Sequence, residues 1–488
     1  MFLLIAVLFV TEIGALYLNS GYQEGLNKRA DLYKKVAVLE VDVATIAAGD
    51  ILDRNQTTLV KNEVNAESTY IDDYAYTQVI GFNGNRSVVI KEDEVEVGKS
   101  KKVYRLMDYY NDILYYTSNI NSTKGSSLTL TLDHELQMYV QELMIQELGL
   151  QEEDNTLGLQ AKGSAIVMDA KTGEILAMVS YPSLNANTAN ASIDLLNDSA
   201  LQELELRYPI SHKGQVVPGS IFKIIMAVCM LDHGMEAFEA EDSNFMIGDV
   251  PIVNDYGSMG DMINYYDAIE RSSNVFFAQA ALEMGGEALN ETASKFMLDR
   301  EIKLDFGTIS KNWNLDLSDE VNLAHTAFGQ GKTLFSTMMA AMVTQAIAND
   351  GVMLKPYMVS QITDSEGNLI SEFVDEEGET IQIGQTQMLS GVTSKETADK
   401  VTAAMVAATE DHIRIVEGES ARSVYQTYNI ASKTGTGENG DDTNNAWFIS
   451  FAPADDPQYV VVVNQCNTSK YGYRMMDTAA EIYRYLFE

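Results

Sequence analysis

A serine and a lysine three residues apart are the side chains of this sequence best placed to do chemistry. Ser220 and Lys223 lie in segment 217–223, and residues 224–231, which follow, are all apolar. A helix that is apolar on every side is buried, and residues three apart share a helix face. Burial disfavours the charged form of a lysine and lowers its pKa. The Lys223 amine is therefore predicted to take the proton of the Ser220 hydroxyl, which would make the serine a nucleophile.

Two later motifs make this weak pattern specific. Ser-x-x-Lys alone is common, because serine also caps helices and lysine also lies at helix ends with its amine in water. Ser272-Ser273-Asn274 opens another apolar stretch, and Lys433-Thr434-Gly435-Thr436 ends a predicted strand. Ser-x-x-Lys, Ser-Asp-Asn and Lys-Thr-Gly, in this order, are the signature of penicillin-binding proteins and class A β-lactamases. The middle motif here, Ser-Ser-Asn, keeps the first and last residues of Ser-Asp-Asn.

The residue types in these motifs fit acyl transfer through a serine ester. Ser220 is the predicted nucleophile, Lys223 its base, and Ser272 a relay for the proton between the amine and the leaving group. Asn274 offers both a donor and an acceptor to a substrate amide. Residues 433–436 would form a cationic, hydroxyl-bearing seat for a terminal carboxylate. A second amine nearby would also help to keep Lys223 neutral.

The tripeptide Lys-Thr-Gly occurs twice in the chain. The first copy, Lys171-Thr172-Gly173, precedes Ser220 and lies in the turn of a predicted hairpin between apolar strands at 165–168 and 175–179. Thr-Gly has an ordinary structural role in such a turn. The second copy, at 433–435, is therefore the predicted member of the site.

Composition excludes several classes of function. The formal net charge of −38 argues against a nucleic-acid partner and against binding to anionic lipids through a basic patch. The two cysteines, Cys229 and Cys466, have neither metal-ligand spacing nor the pattern of a disulfide framework. The five histidines are scattered and none is a convincing partner for Ser220, which argues against a Ser-His-Asp hydrolase. Neither a metal nor a cofactor is predicted.

Hydrophobic periodicity indicates the elements that must position these residues. Strands at both ends of a domain with helices between them predict an α+β fold, in which helices flank one mostly antiparallel sheet. An acidic stretch near 363–385 is predicted to be a solvated excursion. The predicted strands lie at 128–132, 165–168, 175–179, 430–436, 447–451 and 459–463, and the main helices follow Asp133 and Ser220 or lie at 336–348 and 477–486.

The first third of the chain is predicted to hold a membrane anchor and a separate module. Residues 1–18 are nearly all apolar, and 18 helical residues span about 27 Å, which is marginal for a bilayer. An uncleaved anchor is favoured over a signal peptide. Basic residues follow this segment but do not precede it, so the positive-inside rule taken literally would leave the rest of the chain in the cytoplasm. Residues 19–155 are predicted to form a small α+β pedestal ending in a polar linker at 151–155, and 156–488 the catalytic domain.

From about residue 45 to its end, the chain resembles the class B penicillin-binding proteins, membrane-anchored D,D-transpeptidases that cross-link peptidoglycan. Besides the three motifs, the resemblance rests on the sequences at 169–178, at 328–331 (Phe-Gly-Gln-Gly) and at 446–453. The size is similar to that of the short elongation- or sporulation-type members. The resemblance implies a penicillin-binding transpeptidase/β-lactamase-like domain at 156–488.

The resemblance also implies substrates, partners and location. Ser220 would form an acyl-enzyme with peptidoglycan stem peptides and with β-lactam antibiotics. The backbone N–H groups of Ser220 and Thr436 would bind the oxyanion. The catalytic domain of a single-pass cell-membrane protein would face outward, which overrides the literal charge rule, and a polytopic membrane glycosyltransferase would be the partner. The stem peptide and the choice among elongation, division and sporulation stay open.

Two alternative functions share the acylation step. A β-lactamase would need a base for deacylation, such as the glutamate of a Glu-x-x-Leu-Asn loop, and the nearest match, at 287–290, is one residue short. A non-hydrolytic β-lactam sensor or a synthase scaffold is the other alternative. The intact residues Ser220, Lys223, Asn274 and Lys433 argue against a dead enzyme but leave a sensor open.

Overall fold

The computed structural model of the protein describes residues 47–64, 66–81, 106–114, 122–149, 162–188, 208–374, 379–416, 419–440 and 442–488. The predicted anchor at 1–18, the segment that follows it up to residue 46 and the predicted linker at 151–155 lie outside these residues. Within the described ranges, every helix is too short or too polar to span a bilayer.

Strands and helices occupy most of the described chain. The strands are β1 (Ile51–Leu52), β2 (Thr58–Lys61), β3 (Thr69–Tyr70), β4 (Ser127–Leu130), β5 (Lys162–Asp169), β6 (Ile175–Tyr181), β7 (Ala240–Glu241), β8 (Phe245–Ile247), β9 (Val250–Ile252), β10 (Met262–Ile263), β11 (Ile302–Leu304), β12 (Gly307–Ile309), β13 (Val352–Leu354), β14 (Val359–Thr363), β15 (Leu369–Ile370), β16 (Glu372–Val374), β17 (Thr380–Gln382), β18 (Met388–Gly391), β19 (Ala431–Glu438), β20 (Asn444–Ala452) and β21 (Tyr459–Thr468). The helices are α1 (Leu106–Tyr109), α2 (Asn111–Leu114), α3 (His134–Gly149), α4 (Ile210–Lys213), α5 (Lys223–Asp232), α6 (Tyr265–Glu270), α7 (Asn274–Met284), α8 (Gly286–Lys295), α9 (Glu320–Ala327), α10 (Thr337–Ala348), α11 (Lys395–His412), α12 (Glu419–Thr427) and α13 (Met475–Phe487).

A five-stranded antiparallel sheet forms the centre of the C-terminal two thirds of the chain. Its strand order is β19-β20-β21-β5-β6, so the first and last strands of this part of the chain are neighbours. Side chains alternate between the two faces of a strand. On β5, Ile166 and Met168 lie in one core and Ala165 and Val167 in the other. Both faces are therefore covered, and the predicted antiparallel sheet flanked by helices is confirmed.

Two groups of helices cover the two faces of this sheet. Residues of α5, α10 and α11 pack in the larger core, and residues of α3, α12 and α13 pack in the smaller one. All residues of α10 are buried, as are the first eight of α5. The prediction that the apolar run after Ser220 is a buried helix is confirmed. Helix α3 begins after Asp133, whose Oδ1 accepts the Leu136 N–H at 3.1 Å, as its sequence predicts.

A second sheet joins the N-terminal part to the rest of the chain. Its order is β15-β14-β4-β1-β2-β3, with β1 and β4 parallel, and β14 pairs antiparallel with β4. Asp305 stabilises the contact between the N-terminal part and β14, because its carboxylate accepts the N–H groups of Met358 and Val359 and the hydroxyl of Tyr110. The stretch near 363–385, predicted to be a solvated excursion, contains the short strands β15 to β17, and β15 extends this sheet.

Candidate active site

Ser220 and Lys223 lie on a tight turn that leads into a buried helix. A 3₁₀ turn, Gly219–Phe222, precedes α5, and side chains three residues apart lie one above the other in such a turn. The Lys223 Nζ is 2.9 Å from the Ser220 Oγ. The Lys223 side chain is fully buried, whereas Ser220 is partly exposed. The amine is thus held in the interior beside a hydroxyl that substrate can reach.

The middle motif lies against the same amine. Ser273 caps α7 by accepting the Phe276 N–H at 3.0 Å, and Ser272, just before it, has a φ of 59°, in the left-handed region. The Lys223 Nζ lies 2.6 Å from the Ser272 carbonyl oxygen, 3.2 Å from the Ser272 Oγ and 2.7 Å from the Asn274 Oδ1. The turn before α7 therefore surrounds Lys223 with acceptors.

The third motif closes the site from the edge of the central sheet. Lys433 is on β19 and only 1% exposed, and its Nζ donates to the Ser272 Oγ at 2.9 Å and to the Thr434 carbonyl at 3.1 Å. Two residues along, Gly435 lies directly on the Ser220 turn. A Cβ added there would be 2.9 Å from the Pro218 carbonyl oxygen. The Ser272 hydroxyl consequently lies between two amines.

The structure brings Ser220, Lys223, Ser272, Asn274 and Lys433 into one hydrogen-bonded cluster. The hydroxyls of the two threonines have other partners. Thr434 donates towards His412 and the Thr436 Oγ1 accepts the Gly472 N–H at 3.2 Å. Thr434 and Thr436 alternate with Lys433 along β19, so their side chains are on the opposite side of the strand from the lysine.

The protonation of the two amines follows from their burial. Burial and the charge of Lys433 hold the pKa of Lys223 well below its usual value, against the opposing effect of Asp255 and Asp242. Burial lowers the pKa of Lys433 to about 7, again opposed by Asp255. The two shortest contacts of the Lys223 Nζ are to a carbonyl and an amide oxygen, which cannot donate. Both N–H groups of a neutral amine would be used there, leaving its lone pair for the Ser220 hydroxyl.

The first Lys-Thr-Gly copy is remote from this chemistry. Lys171 is exposed in the turn between β5 and β6, and its Nζ donates to the Ala348 carbonyl at 3.4 Å. Among the residues that the structure describes, no three His, Cys, Asp or Glu side chains are grouped as a metal site would require.

Residues 163–488, more than half of the chain, match the penicillin-binding protein transpeptidase domain family. The chain belongs to this family.

Curated relatives and solved structures agree with this assignment. The peptidoglycan D,D-transpeptidase PbpA of Mycolicibacterium smegmatis is 26% identical over 417 residues, which cover 81% of this chain and 78% of that protein. Penicillin-binding protein A from M. tuberculosis, in its imipenem acyl-enzyme complex, has a TM-score of 0.74 at 22% identity and covers 91% of this chain and 100% of its own. The D,D-transpeptidase domain of a peptidoglycan glycosyltransferase from Eggerthella lenta has a TM-score of 0.70 at 24% identity, covering 90% and 98%. The structural likenesses show the fold, a penicillin-binding transpeptidase fold with mixed helix and strand content.

His412 is a residue of this transpeptidase domain that sequence reasoning missed. It ends α11, and its ring lies 2.7 Å (Nδ1) from the Ala408 carbonyl and 3.0 Å (Nε2) from the Thr434 Oγ1. A carbonyl only accepts, so Nδ1 carries the proton, and Nε2 accepts the Thr434 hydroxyl. Burial, with the charge of Lys433, lowers the pKa of His412 to about 4, which keeps the ring neutral. In the sequence it is one of five scattered histidines, and no local signal marks it.

Gln330 is a second such residue. Its Nε2 donates to the Thr436 carbonyl at 3.1 Å and its Oε1 accepts the Glu438 N–H at 3.2 Å. The glutamine thereby holds the end of β19 next to the site. The sequence Phe-Gly-Gln-Gly at 328–331 contributes to the family resemblance, and that was the signal that could have drawn attention to it.

Proposed function

We propose that the protein is a serine D,D-transpeptidase that cross-links peptidoglycan stem peptides through an acyl-enzyme on Ser220, and that β-lactams acylate the same serine. The observation that carries the proposal is the 2.9 Å contact between the Ser220 hydroxyl and the buried Lys223 amine in a chain of this family. The names of the relatives support it, since PbpA is a peptidoglycan D,D-transpeptidase and penicillin-binding protein A forms acyl-enzymes with imipenem and penicillin G.

In acylation, the Ser220 hydroxyl gives its proton to the neutral Lys223 amine as Oγ attacks the donor carbonyl carbon. The tetrahedral oxyanion binds the backbone N–H groups of Ser220 and Thr436. The C–N bond then breaks, and the leaving amine takes a proton that passes from Lys223 through the Ser272 hydroxyl. Lys433, which donates to that hydroxyl, keeps it oriented and supplies positive charge.

In deacylation, the amine of a second stem peptide attacks the ester carbonyl and loses a proton to the Lys223 amine. The bond to the Ser220 Oγ breaks and the oxygen recovers its proton, so that the enzyme returns to its starting state. Asn274 holds a substrate amide. The terminal carboxylate binds along the edge strand at residues 433–436, with the Thr434 and Thr436 hydroxyls on one side of the strand and the Lys433 amine on the other. The low pKa of Lys223 supports this cycle, because the amine must accept and return a proton near neutral pH.

The same proposal extends to the whole chain. Residues 1–18 are a membrane anchor, 19–155 a pedestal and 156–488 the transpeptidase domain, which faces outward from the cell membrane. A polytopic membrane glycosyltransferase supplies the glycan strands. The apolar composition of residues 1–18 and the resemblance to class B proteins support this organisation. Membrane fractionation of the full chain and of a chain without residues 1–18 tests the anchor, and retention of both in the soluble fraction would contradict it.

Acylation by a fluorescent penicillin, followed for hours with Ser220→Ala as the control, tests the chemistry. A stable adduct that the variant lacks is expected. A label that forms and disappears within seconds would indicate a hydrolase instead, and no label on folded wild-type protein would refute the Ser220 mechanism. Turnover of a D-alanyl-D-alanine peptide with an amine acceptor then separates a transpeptidase from a sensor, because a sensor forms the adduct without turnover.

A further inference from the structure

A buried carboxylate lies behind the middle motif. Asp242, between β7 and β8, is fully buried. Its Oδ1 accepts the Ser273 hydroxyl and the Asn254 Nδ2 amide, both at 2.7 Å, and its Oδ2 accepts the Tyr256 hydroxyl at 2.8 Å. Burying a carboxylate costs free energy unless its oxygens are hydrogen-bonded. Three neutral groups donate hydrogen bonds to the Asp242 oxygens, and one of them, the Ser273 hydroxyl, belongs to the Ser272–Asn274 motif.

Asn254 extends the contact to the backbone of the motif. Its Oδ1 accepts the N–H groups of Asn274 at 2.7 Å and Val275 at 3.1 Å. These are donors of the first turn of α7, which have no partner within the helix. Next to it, the Val253 carbonyl accepts the Asn274 side-chain amide at 3.0 Å. Residues 253–254 therefore hold both the main chain and the side chain of Asn274.

These contacts explain how Ser272 keeps an uncommon conformation. Its φ of 59° costs free energy for a residue with a side chain, and such conformations persist where the surroundings determine them. The two residues that follow it are fixed by Asp242, Asn254 and Val253. We infer that Asp242 and Asn254 are positioning residues, which hold the Ser272–Asn274 turn so that the Ser272 hydroxyl lies between the Lys223 and Lys433 amines. The inference rests on the proposed acyl transfer at Ser220.

Asp242 also acts on Lys223 through its charge. The charged groups that act on the Lys223 amine are Lys433 from β19, and Asp255 and Asp242 from the segment between α5 and α6. The two carboxylates favour the ammonium form and raise the pKa of Lys223, against burial and Lys433. If the Asp242 charge is removed while its shape is kept, the pKa of Lys223 falls. Acylation needs the neutral amine, so the acid limb of its pH profile moves to lower pH.

Two substitutions of Asp242 in the full chain separate these effects. The rate of penicillin acylation is measured over a range of penicillin concentrations and pH values, which separates binding from the chemical step. Asp242→Ala is expected to slow the chemical step by about 100-fold, the effect of misplacing a reacting group by ~1 Å. Asp242→Asn keeps an acceptor for Ser273 and Asn254, so it recovers most of that loss and moves the acid limb to lower pH. Asp249→Asn, an exposed residue of the same segment, removes the same charge and leaves rate and profile unchanged.

The outcomes distinguish this inference from a purely structural role and from a failure of the proposed function. Wild-type protein that penicillin does not acylate, or a Ser220→Ala variant labelled equally well, refutes the function before the variants are compared. A folded Asp242→Ala variant with the wild-type chemical step overturns the inference. If thermal melting shows that Asp242→Ala does not fold, a folded Asn254→Ala variant with the wild-type chemical step overturns it instead, because Asn254 accepts the N–H groups of Asn274 and Val275. An Asp242→Asn variant with an unshifted acid limb overturns the effect of the Asp242 charge on Lys223.

Discussion

The chain contains Lys-Thr-Gly twice, and the two copies differ in everything except composition. In the first copy, Lys171 is exposed in a hairpin turn, and the N–H groups of Lys171 and Thr172 donate to the Asp169 Oδ1, both at 2.8 Å. In the second copy, Lys433 is on an edge strand, is only 1% exposed, and its Nζ donates to the Ser272 Oγ. The hairpin copy forms a turn, whereas the strand copy places a cation inside a site.

The glycine of each copy is required, but for a different physical reason. Gly173 has a φ of 79°, a conformation that the turn requires and that side chains disfavour. Gly435 is needed because of space, since an added Cβ would lie 2.8 Å from the Ile221 Cγ2 and 2.9 Å from the Pro218 carbonyl oxygen. The chemistry of the motif therefore comes from the strand, its burial and its close approach to the Ser220 turn. Matched substitutions in the two copies test this conclusion.

The largest difference is expected for the lysines. Lys433→Met removes the cation that donates to the Ser272 hydroxyl, and it should slow penicillin acylation by about 100- to 1,000-fold, the effect of losing one catalytic hydrogen-bond donor. Lys171→Met should acylate at the wild-type rate. Stopped-flow or gel-based labelling measures both, and equal effects of the two substitutions would mean that the copies are not distinguished by their location.

The glycines should differ in the property that each substitution changes. Gly435→Ala pushes β19 away from the Ser220 turn, so acylation should fall by about 100-fold. Gly173→Ala strains the hairpin and should lower the free energy of unfolding by about 1–2 kcal/mol without affecting acylation of the folded protein. Labelling rates and urea unfolding of both variants provide the comparison. A Gly435→Ala variant that acylates normally would show that the close approach is not required.

The threonines should show a smaller difference. Thr434→Val removes a hydroxyl beside the proposed carboxylate seat, which turns from the His412 Nε2 to donate to the carboxylate when penicillin binds. The penicillin concentration for half-maximal acylation should therefore rise, by at most about tenfold, the value of one hydrogen bond to a charged group. The limiting rate should change little. Thr172→Val removes an acceptor for the Glu174 N–H in the hairpin and should leave both parameters unchanged. If the limiting rate falls instead, Thr434 acts in the chemical step.

Local patterns predicted a large part of the fold. The hairpin of β5 and β6, the strands near the C-terminus, the Asp133-capped helix and the buried helix after Ser220 all lie where the sequence indicates. Each depends on periodicity or a cap within a few residues. The motif residues were also selected from the sequence, because their types, order and family resemblance carry that information.

The features that sequence reasoning missed depend on contacts between distant segments. The pairing of β14 with β4 joins residues more than 200 positions apart, and no local pattern marks either strand as a partner of the other. The left-handed Ser272 and its support by Asp242 and Asn254 arise only when the segment after α5 packs behind α7. His412 reaches Thr434 from the end of α11 for the same reason.

The last effect expected from the comparison is on the pH dependence of stability. In the folded protein burial lowers the pKa of Lys433 to about 7 from 10.5, so between these values the unfolded chain binds more protons and stability rises with pH. The rise is at most about 1.4 kcal/mol per pH unit for one proton. Lys433→Met removes this contribution and makes the slope shallower. It also removes a charge that lowers the pKa of Lys223, and a higher Lys223 pKa cannot make the slope steeper. Urea unfolding at pH 7 and pH 9 measures the slope, and Lys171→Met should keep the wild-type value. A Lys433→Met variant with the wild-type slope would show that this amine is not buried in its neutral form, and the contrast between the two copies would then rest on geometry alone.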